Sequence, residues 1–389
     1  MQPPVGYRFP LSSVVRALAP RATAHTARLA LEREVAQYFG VQRAFAVTSG
    51  KAALTTTLRV LHGLTGRTKV IVPAYTCYSV PSAIIKAGLI PVPCDIRRGS
   101  FDYDYDELRA ALGPDVLCAL SIHPFGIPSD TARLKHLCRP AGIFVVEDAA
   151  QAMSVSVDGQ WLGTRGDVGF FSLGRGKNVT CGSGGIIVTS VPDIAEAMAS
   201  SVEQLAAGSL LGDARTLLAL SALSIFISPG LYWLPVGIPS LKLGETIFHD
   251  DFPIGRLSDF QARLFEGWTE ALAALNAVRR EAGEFYLRQI TGALSYGSLP
   301  YLRFPVMVEN RAVRDRVLRE GRPLGISAMY PASIGAIPQI AGLLTRHRFP
   351  EAERTAAVLL TLPTHPLLTA RDRAAISDIV NAVVRGAAA

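Results

Sequence analysis

Lys177 closes the run Phe170-Phe171-Ser172-Leu173-Gly174-Arg175-Gly176-Lys177, and upstream Val145-Val146-Glu147-Asp148-Ala149-Ala150-Gln151 carries an apolar strand into a carboxylate. A strand-end Asp, a Ser and a Lys in that order can hold pyridoxal 5′-phosphate (PLP). The Asp keeps the pyridine nitrogen protonated, the Ser binds the phosphate and the Lys forms a Schiff base with the aldehyde. Gly174, Gly176, Gly182, Gly184 and Gly185 surround the lysine, so the chain can turn tightly there and approach a ligand. Enclosure strips water from an ammonium and favours the free amine that attacks an aldehyde. Gln151 would lie one helical turn beyond Asp148, against the cofactor face. A further element, Val47-Thr48-Ser49-Gly50-Lys51-Ala52-Ala53-Leu54, runs a strand into Ser-Gly and then a helix, whose free N–H groups make an anion site. Each signal has a plain alternative: a helix-capping Asp, a solvated loop Lys, an ordinary Ser N-cap. Their order and spacing together carry the reading.

The elements that must position these residues alternate in the α/β manner. Strands are expected at 45–48, 69–73, 90–94, 116–122, 143–147, 168–172 and 185–190, all short, apolar and β-branched. Helices are expected at 50–62, 78–88, 130–138 and 192–206. This is an α/β wound sheet of seven mostly parallel strands, with the ligand at the carboxyl ends where Ser49, Asp148 and Ser172 fall. A long helix over 258–290 would lead into a smaller α+β C-terminal domain, with a strand at 301–308 and helices at 311–320 and 369–385. The expected domains are 1–255, binding PLP, and 256–389.

At 389 residues the chain is long enough for two cores, and 49% hydrophobic against 18% charged residues marks it as globular. The net charge of +7 comes from scattered arginines, without the basic blocks or aromatic-interleaved stripes of a nucleic-acid binder. It suits anionic substrates or an anionic membrane surface. Five cysteines form no Cys-x-x-Cys pair, and Cys94, Cys118 and Cys138 read as core residues. With no signal-like start, the expectation is cytoplasmic. Residues 216–241 carry no charge, and Pro229, Pro235 and Pro239 break the segment before it could span a bilayer. It reads as a buried helix and loop at a subunit interface, or else as a membrane-surface patch or a cover over a lipid-like substrate.

Taken together, these motifs resemble the DegT/DnrJ/EryC1/StrS family of PLP-dependent sugar aminotransferases, of type I aminotransferase fold. The resemblance runs from Ser49 to Leu367 and rests on Ser49-Gly50, Val72-Pro73-Ala74-Tyr75-Thr76, His123-x-x-Gly126, Glu147-Asp148-Ala149-Ala150-Gln151, Phe171-Ser172, Lys177-Asn178 and Leu362-Pro363-Thr364-His365-Pro366. It implies that Lys177 is the Schiff-base lysine and the acid and base of the reaction. It implies that Asp148 pairs with the pyridinium, that Gln151 contacts the ring, and that Ser172 with the backbone of Ser49, Gly50 and Lys51 takes the phosphate. Where relatives stack an aromatic ring on the cofactor this chain has Cys77, leaving Tyr75 or Tyr78 for that role. Where relatives carry Asn in a Gly-x-Asn-x-Arg run that reaches the partner's cofactor phosphate, the chain reads Pro253-Ile254-Gly255-Arg256. Ser183 replaces an acidic residue. The implied reaction moves an amino group from an amino acid, commonly Glu or Gln, to a nucleotide-linked keto-sugar, in a homodimer with a shared site. Relatives that remove a sugar hydroxyl carry His in place of the lysine. A non-sugar or lipid-linked substrate, or a PLP-binding protein without turnover, stands as the alternative. A P-loop is excluded, since no Gly stands five residues before Gly176.

Overall fold

The computed structural model describes residues 1–18, 26–238, 246–290, 293 and 295–388. Short apolar runs form strands β1 (Arg43–Val47), β2 (Lys69–Pro73), β3 (Ile90–Cys94), β4 (Val116–Ile122) and β5 (Phe144–Asp148). A small hairpin, β6 (Ser156–Val157) and β7 (Gln160–Trp161), precedes β8 (Val168–Ser172) and β9 (Gly185–Thr189). The large sheet has the order β1-β9-β8-β5-β4-β2-β3. Its centre is parallel, whereas β9 runs antiparallel to both of its neighbours. The strands expected at 69–73, 90–94, 116–122 and 168–172 have those bounds, and the other three differ by one or two residues at one or both ends.

Successive side chains of a strand point to opposite faces, and the core divides accordingly. Phe170 and Ile187 join a cluster with Leu54, Leu58 and Val146, while Phe171 and Ile186 join one with Phe39, Ala46 and Trp268. Each fully buried Leu, Ile or Phe contributes about 1.5–3 kcal/mol, so the central strands are the best-anchored part of the molecule. Cys94, Cys118 and Cys138 are buried free thiols, as their apolar surroundings led one to expect.

Helices α1 (Leu11–Leu18), α2 (Ala27–Phe39), α3 (Gly50–Thr65), α4 (Ser79–Lys86), α5 (Tyr105–Ala111), α6 (Thr131–Cys138) and α7 (Pro192–Glu203) flank the sheet. Next come α8 (Leu210–Phe226) and the single turn α9 (Trp233–Val236). The expected continuous helix over 258–290 is instead two, α10 (Asp259–Leu264) and α11 (Trp268–Gln289). Gly267 parts them in a left-handed conformation, φ 75°. The chain ends with β10 (Arg303–Met307) paired antiparallel to β11 (Leu359–Pro363), covered by α12 (Arg311–Gly321), α13 (Pro350–Val358) and α14 (Ala370–Ala388). Tyr286, Phe304, Val317, Leu360 and Val380 fill their core.

The uncharged segment, expected to be buried at a subunit interface, is covered only in part by its own chain. In α8 only Leu220 is buried within the chain, while Leu218 is 71% and Trp233 57% exposed. Residues 239–241 of that segment lie outside the described residues. Among the described residues no helix is long and apolar enough to cross a membrane.

Ahead of α1, the chain laces along the surface between the two cores. Gln2 N donates to Pro323 O (2.8 Å), Pro3 O accepts from His365 Nε2 (2.7 Å), and Tyr7 Oη accepts from Thr180 N (3.2 Å). A Cβ on Gly176 would lie 3.0 Å from Val5 Cγ1. His365 Nδ1 accepts from Leu367 N (3.2 Å), so the Nε2 carries the proton; burial lowers its pKa to about 4 and holds the ring neutral.

Candidate active site

A cavity opens at the carboxyl ends of β4 and β5, lined by Thr76, Cys77, His123, Asp148, Gln151, Lys177 and Tyr330 among others. The parallel register sets Ile122 beside Asp148, and His123 N donates to Asp148 O (3.0 Å), so the two strand tips reach it level. Thr76 and Cys77 come from the turn after β2, and Tyr330 from the connection between α12 and α13.

Asp148 is 9% exposed. Burial raises its pKa above the usual carboxylate value, opposed by the Ala150 N–H at 3.0 Å and by the charge of Lys177. Lys177 sits in a turn closed by its own N–H on Gly174 O (3.2 Å), with Gly176 at φ 78°. Arg279, 1% exposed on α11, donates to Lys177 O (3.4 Å) and to Asn276 Oδ1 (3.0 Å). Burial, with no carboxylate partner among the described residues, lowers the guanidinium pKa to about 10. Gln151 is oriented from both ends: its Oε1 accepts from Phe125 N (2.8 Å) and its Nε2 donates to Tyr330 Oη (3.0 Å).

Glu147, one residue earlier on β5, points away from this cavity into a dense set of donors. His123 Nδ1 accepts from Ser129 N (3.1 Å), so its Nε2 donates to Glu147 Oε2 (2.9 Å). The N–H groups of Gly163 (3.1 Å), Gly166 (2.6 Å) and Arg165 complete the carboxylate's shell. Burial penalises its charge, but the His123 and backbone donors prevail and its pKa is lowered.

Cys77, Asp148, Gln151 and Lys177 therefore meet at one cavity. Ser49, Gly50 and Ser172 meet beside it, at the start of α3. Ser49 Oγ caps the helix by accepting from Ala52 N (3.0 Å), Ser172 Oγ accepts from Gly174 N (3.4 Å), and a Cβ on Gly50 would lie 3.1 Å from Ser172 Oγ. Lys51 places its ammonium 4.2 Å from the centre of the Phe252 ring, and its pKa is lowered by burial and raised somewhat by Cys77 nearby. Cys77 thus lies between the two places. Tyr75 belongs to neither. It packs in the C-terminal core, with its ring centroid 5.3 Å from Tyr330 and 6.3 Å from Phe101. Tyr78 precedes α4 and packs in the core beneath it. Arg256 pairs with Glu203 of its own chain at 2.8 Å.

The residues present fit PLP on two grounds. Thr76 Oγ1 lines the cavity buried and without a hydrogen-bond partner among the described residues, and a ligand oxygen or nitrogen would satisfy it. The donor set also offers a buried carboxylate, an amine, and a helix N-terminus held open by glycine. Sequence reasoning gave Thr76 and His123 no role although both lie in quoted motifs. It missed Tyr330 entirely, because the loop Met329-Tyr330-Pro331 has no local signature.

Residues 21–209 match the sequence model of the DegT/DnrJ/EryC1/StrS aminotransferase family. The chain is 26% identical over 367 residues to UDP-N-acetyl-3-dehydro-alpha-D-glucosamine 3-aminotransferase of Acidithiobacillus ferrooxidans, covering 92% of this chain and 88% of that protein. Among solved structures it is similar to S. venezuelae DesV (TM-score 0.72, 25% identity, 95% of this chain and 93% of that one). It also superposes on a sugar aminotransferase of Streptococcus pneumoniae solved in its PMP form (TM-score 0.78, 21% identity, 99% of this chain and 98% of that one).

Proposed function

From membership of the DegT/DnrJ/EryC1/StrS aminotransferase family, to which this chain belongs, we propose that Lys177 and Asp148 work together in moving an amino group from Glu or Gln to a keto-sugar carried on a nucleotide. The chain is a PLP-dependent aminotransferase. The observation that carries the residue assignment is the meeting of Lys177, Asp148 and Gln151 at one cavity, beside a helix N-terminus that Ser49 and Ser172 border.

PLP, when bound, supplies an aldehyde and a ring that accepts electron density from the substrate carbon. Lys177 Nζ anchors it and then takes up and returns the proton that moves during amino transfer. The Asp148 carboxylate, strained by burial, is set to hold the pyridine nitrogen as its counter-charge. Gln151, fixed by Phe125 and Tyr330, bears on the ring, and Cys77 stands where a stacking ring would be. Ser172 and the 49–51 backbone take the phosphate. Arg279 steadies the lysine turn from behind by binding its carbonyl. A homodimer in the cytoplasm, serving the synthesis of cell-surface polysaccharide or of secondary-metabolite sugars, completes the proposal.

The test is to mix the protein with PLP and record its visible absorption against Lys177→Ala, then to offer the amine form a panel of keto-sugar nucleotides and follow return of the absorption. Identical spectra for parent and variant would refute the role of Lys177. A lysine-dependent spectrum that no keto-sugar nucleotide restores would refute the substrate class.

A further inference from the structure

The face made by α1, α8 and α9 is apolar well beyond what its own chain covers. Leu11, Val15, Leu210, Leu218, Ile225 and Trp233 are all exposed, Leu210 to 90%. An α-helix that is apolar on all sides normally lies inside a core or against lipid, yet α8 buries only Leu220. The chain supports the face from beneath: a Cβ on Gly6 would lie 2.7 Å from Ile227 Cδ1, and Ser224 Oγ donates to Phe9 O (3.1 Å).

The charges around it are mostly of one sign; the exception is Asp213 on the first turn of α8, whose carboxylate accepts from Ser258 Oγ (2.5 Å). Residues 1–18 and 214–238 contain no Asp or Glu, and their charged side chains are Arg8, Arg16 and Arg215, all exposed. Arg8 reaches across to Ser228 Oγ (2.8 Å), which places its charge at the rim of the apolar surface. Trp233 supplies an exposed ring of the kind that favours a boundary between water and hydrocarbon. Pro229 and Pro235 stop the helix short, so the segment can lie on a bilayer but not cross it.

We propose that this face docks on an anionic bilayer, with α8 and Trp233 entering the headgroup region and Arg8, Arg16 and Arg215 facing lipid phosphates. Apolar contact and arginine–phosphate attraction then act together. This inference does not rest on the reaction proposed above, and its test needs neither cofactor nor turnover.

The experiment is flotation of the full chain with vesicles of phosphatidylcholine and phosphatidylglycerol, and with phosphatidylcholine alone, accompanied by the solution mass of each protein. The protein should float with the anionic vesicles, and high salt should weaken recovery through screening. Leu218→Glu with Trp233→Glu should reduce recovery about tenfold, because two buried apolar contacts are exchanged for charges. Arg8→Gln with Arg16→Gln and Arg215→Gln should remove the preference for anionic lipid. The proposal fails if the parent stays in solution with the anionic vesicles, or if both variants float as the parent does. It fails equally if the glutamate variant halves the solution mass, which would show that a second copy of the chain covers the face.

Discussion

Glu147 and Asp148 are neighbours on β5, and the protein treats them in opposite ways. Glu147 points away from the cavity, where His123 after β4 and three backbone N–H groups ahead of β8 close around it and lower its pKa. Asp148 faces the cavity, receives the N–H of Ala150, and has its pKa raised by burial. A buried carboxylate with a full set of donors holds structure together; one left short of donors is costly until something cationic arrives. The contrast separates a carboxylate satisfied within the fold from one that the proposed reaction would use, although the two are adjacent in sequence.

Substitutions can break or sharpen that contrast. On the cavity side, Lys177→Ala should lower amino transfer by more than about a thousandfold while leaving the unfolding midpoint nearly unchanged, since the amine does chemistry and little packing. Enzyme assay and denaturant unfolding on one preparation decide it; a large loss of stability would mean that the cavity side is structural too. On the other side, Glu147→Ala should destabilise the fold by about 3–5 kcal/mol, because His123 and the backbone N–H groups lose their shared acceptor. A loss below about 1 kcal/mol by urea unfolding would erase the distinction.

His365 offers a neutral counterpart, buried and satisfied at both nitrogens. Its folded pKa of about 4 lies below the ordinary 6.5, so the unfolded chain binds the extra proton in between. Its contribution is therefore intact above pH 6.5 and declines as pH falls toward 4. Between pH 7 and pH 5 it should cost about 2 kcal/mol, and His365→Gln should flatten the stability profile over that interval. The smallest effect is expected at Asp148 itself. Asp148→Asn should raise the stability of cofactor-free protein at neutral pH by about 1 kcal/mol, by removing a charge disfavoured there, while sharply reducing amino transfer. Thermal unfolding without PLP reads the gain, and a lower melting temperature would count against the raised pKa.

Much of the fold was legible because its strands are short, apolar and bounded by turn residues; 69–73 and 116–122 could be read to the residue. Strand direction could not be read, since nothing local in Gly185–Thr189 says that it runs antiparallel. The break between α10 and α11 had a visible sign in Gly267, outweighed by the periodicity on either side. At the site, Asp148, Gln151 and Lys177 could be found because a strand end, a helical turn and a glycine-rich loop fix their surroundings locally. Tyr330 could not, because only the packing of the C-terminal unit brings it to the cavity. Tyr75 misled for the complementary reason: its position in a motif gives its place along the chain but not the side of the wall it occupies. The greasy stretch in α8 was expected to be buried at a subunit interface; its own chain covers one side of the helix, and nothing local in the sequence names what covers the other.

The N-terminal segment at residues 2–9 has a practical side. Its peptide groups are stitched to the C-terminal unit at Pro323 and His365, and its side chains are wedged against the lysine turn. Trimming those few residues, or dragging on them with an affinity handle, would loosen both halves of the cleft wall in one stroke. Purification tags and fusion partners for this enzyme therefore belong after α14, where an added sequence tugs on neither.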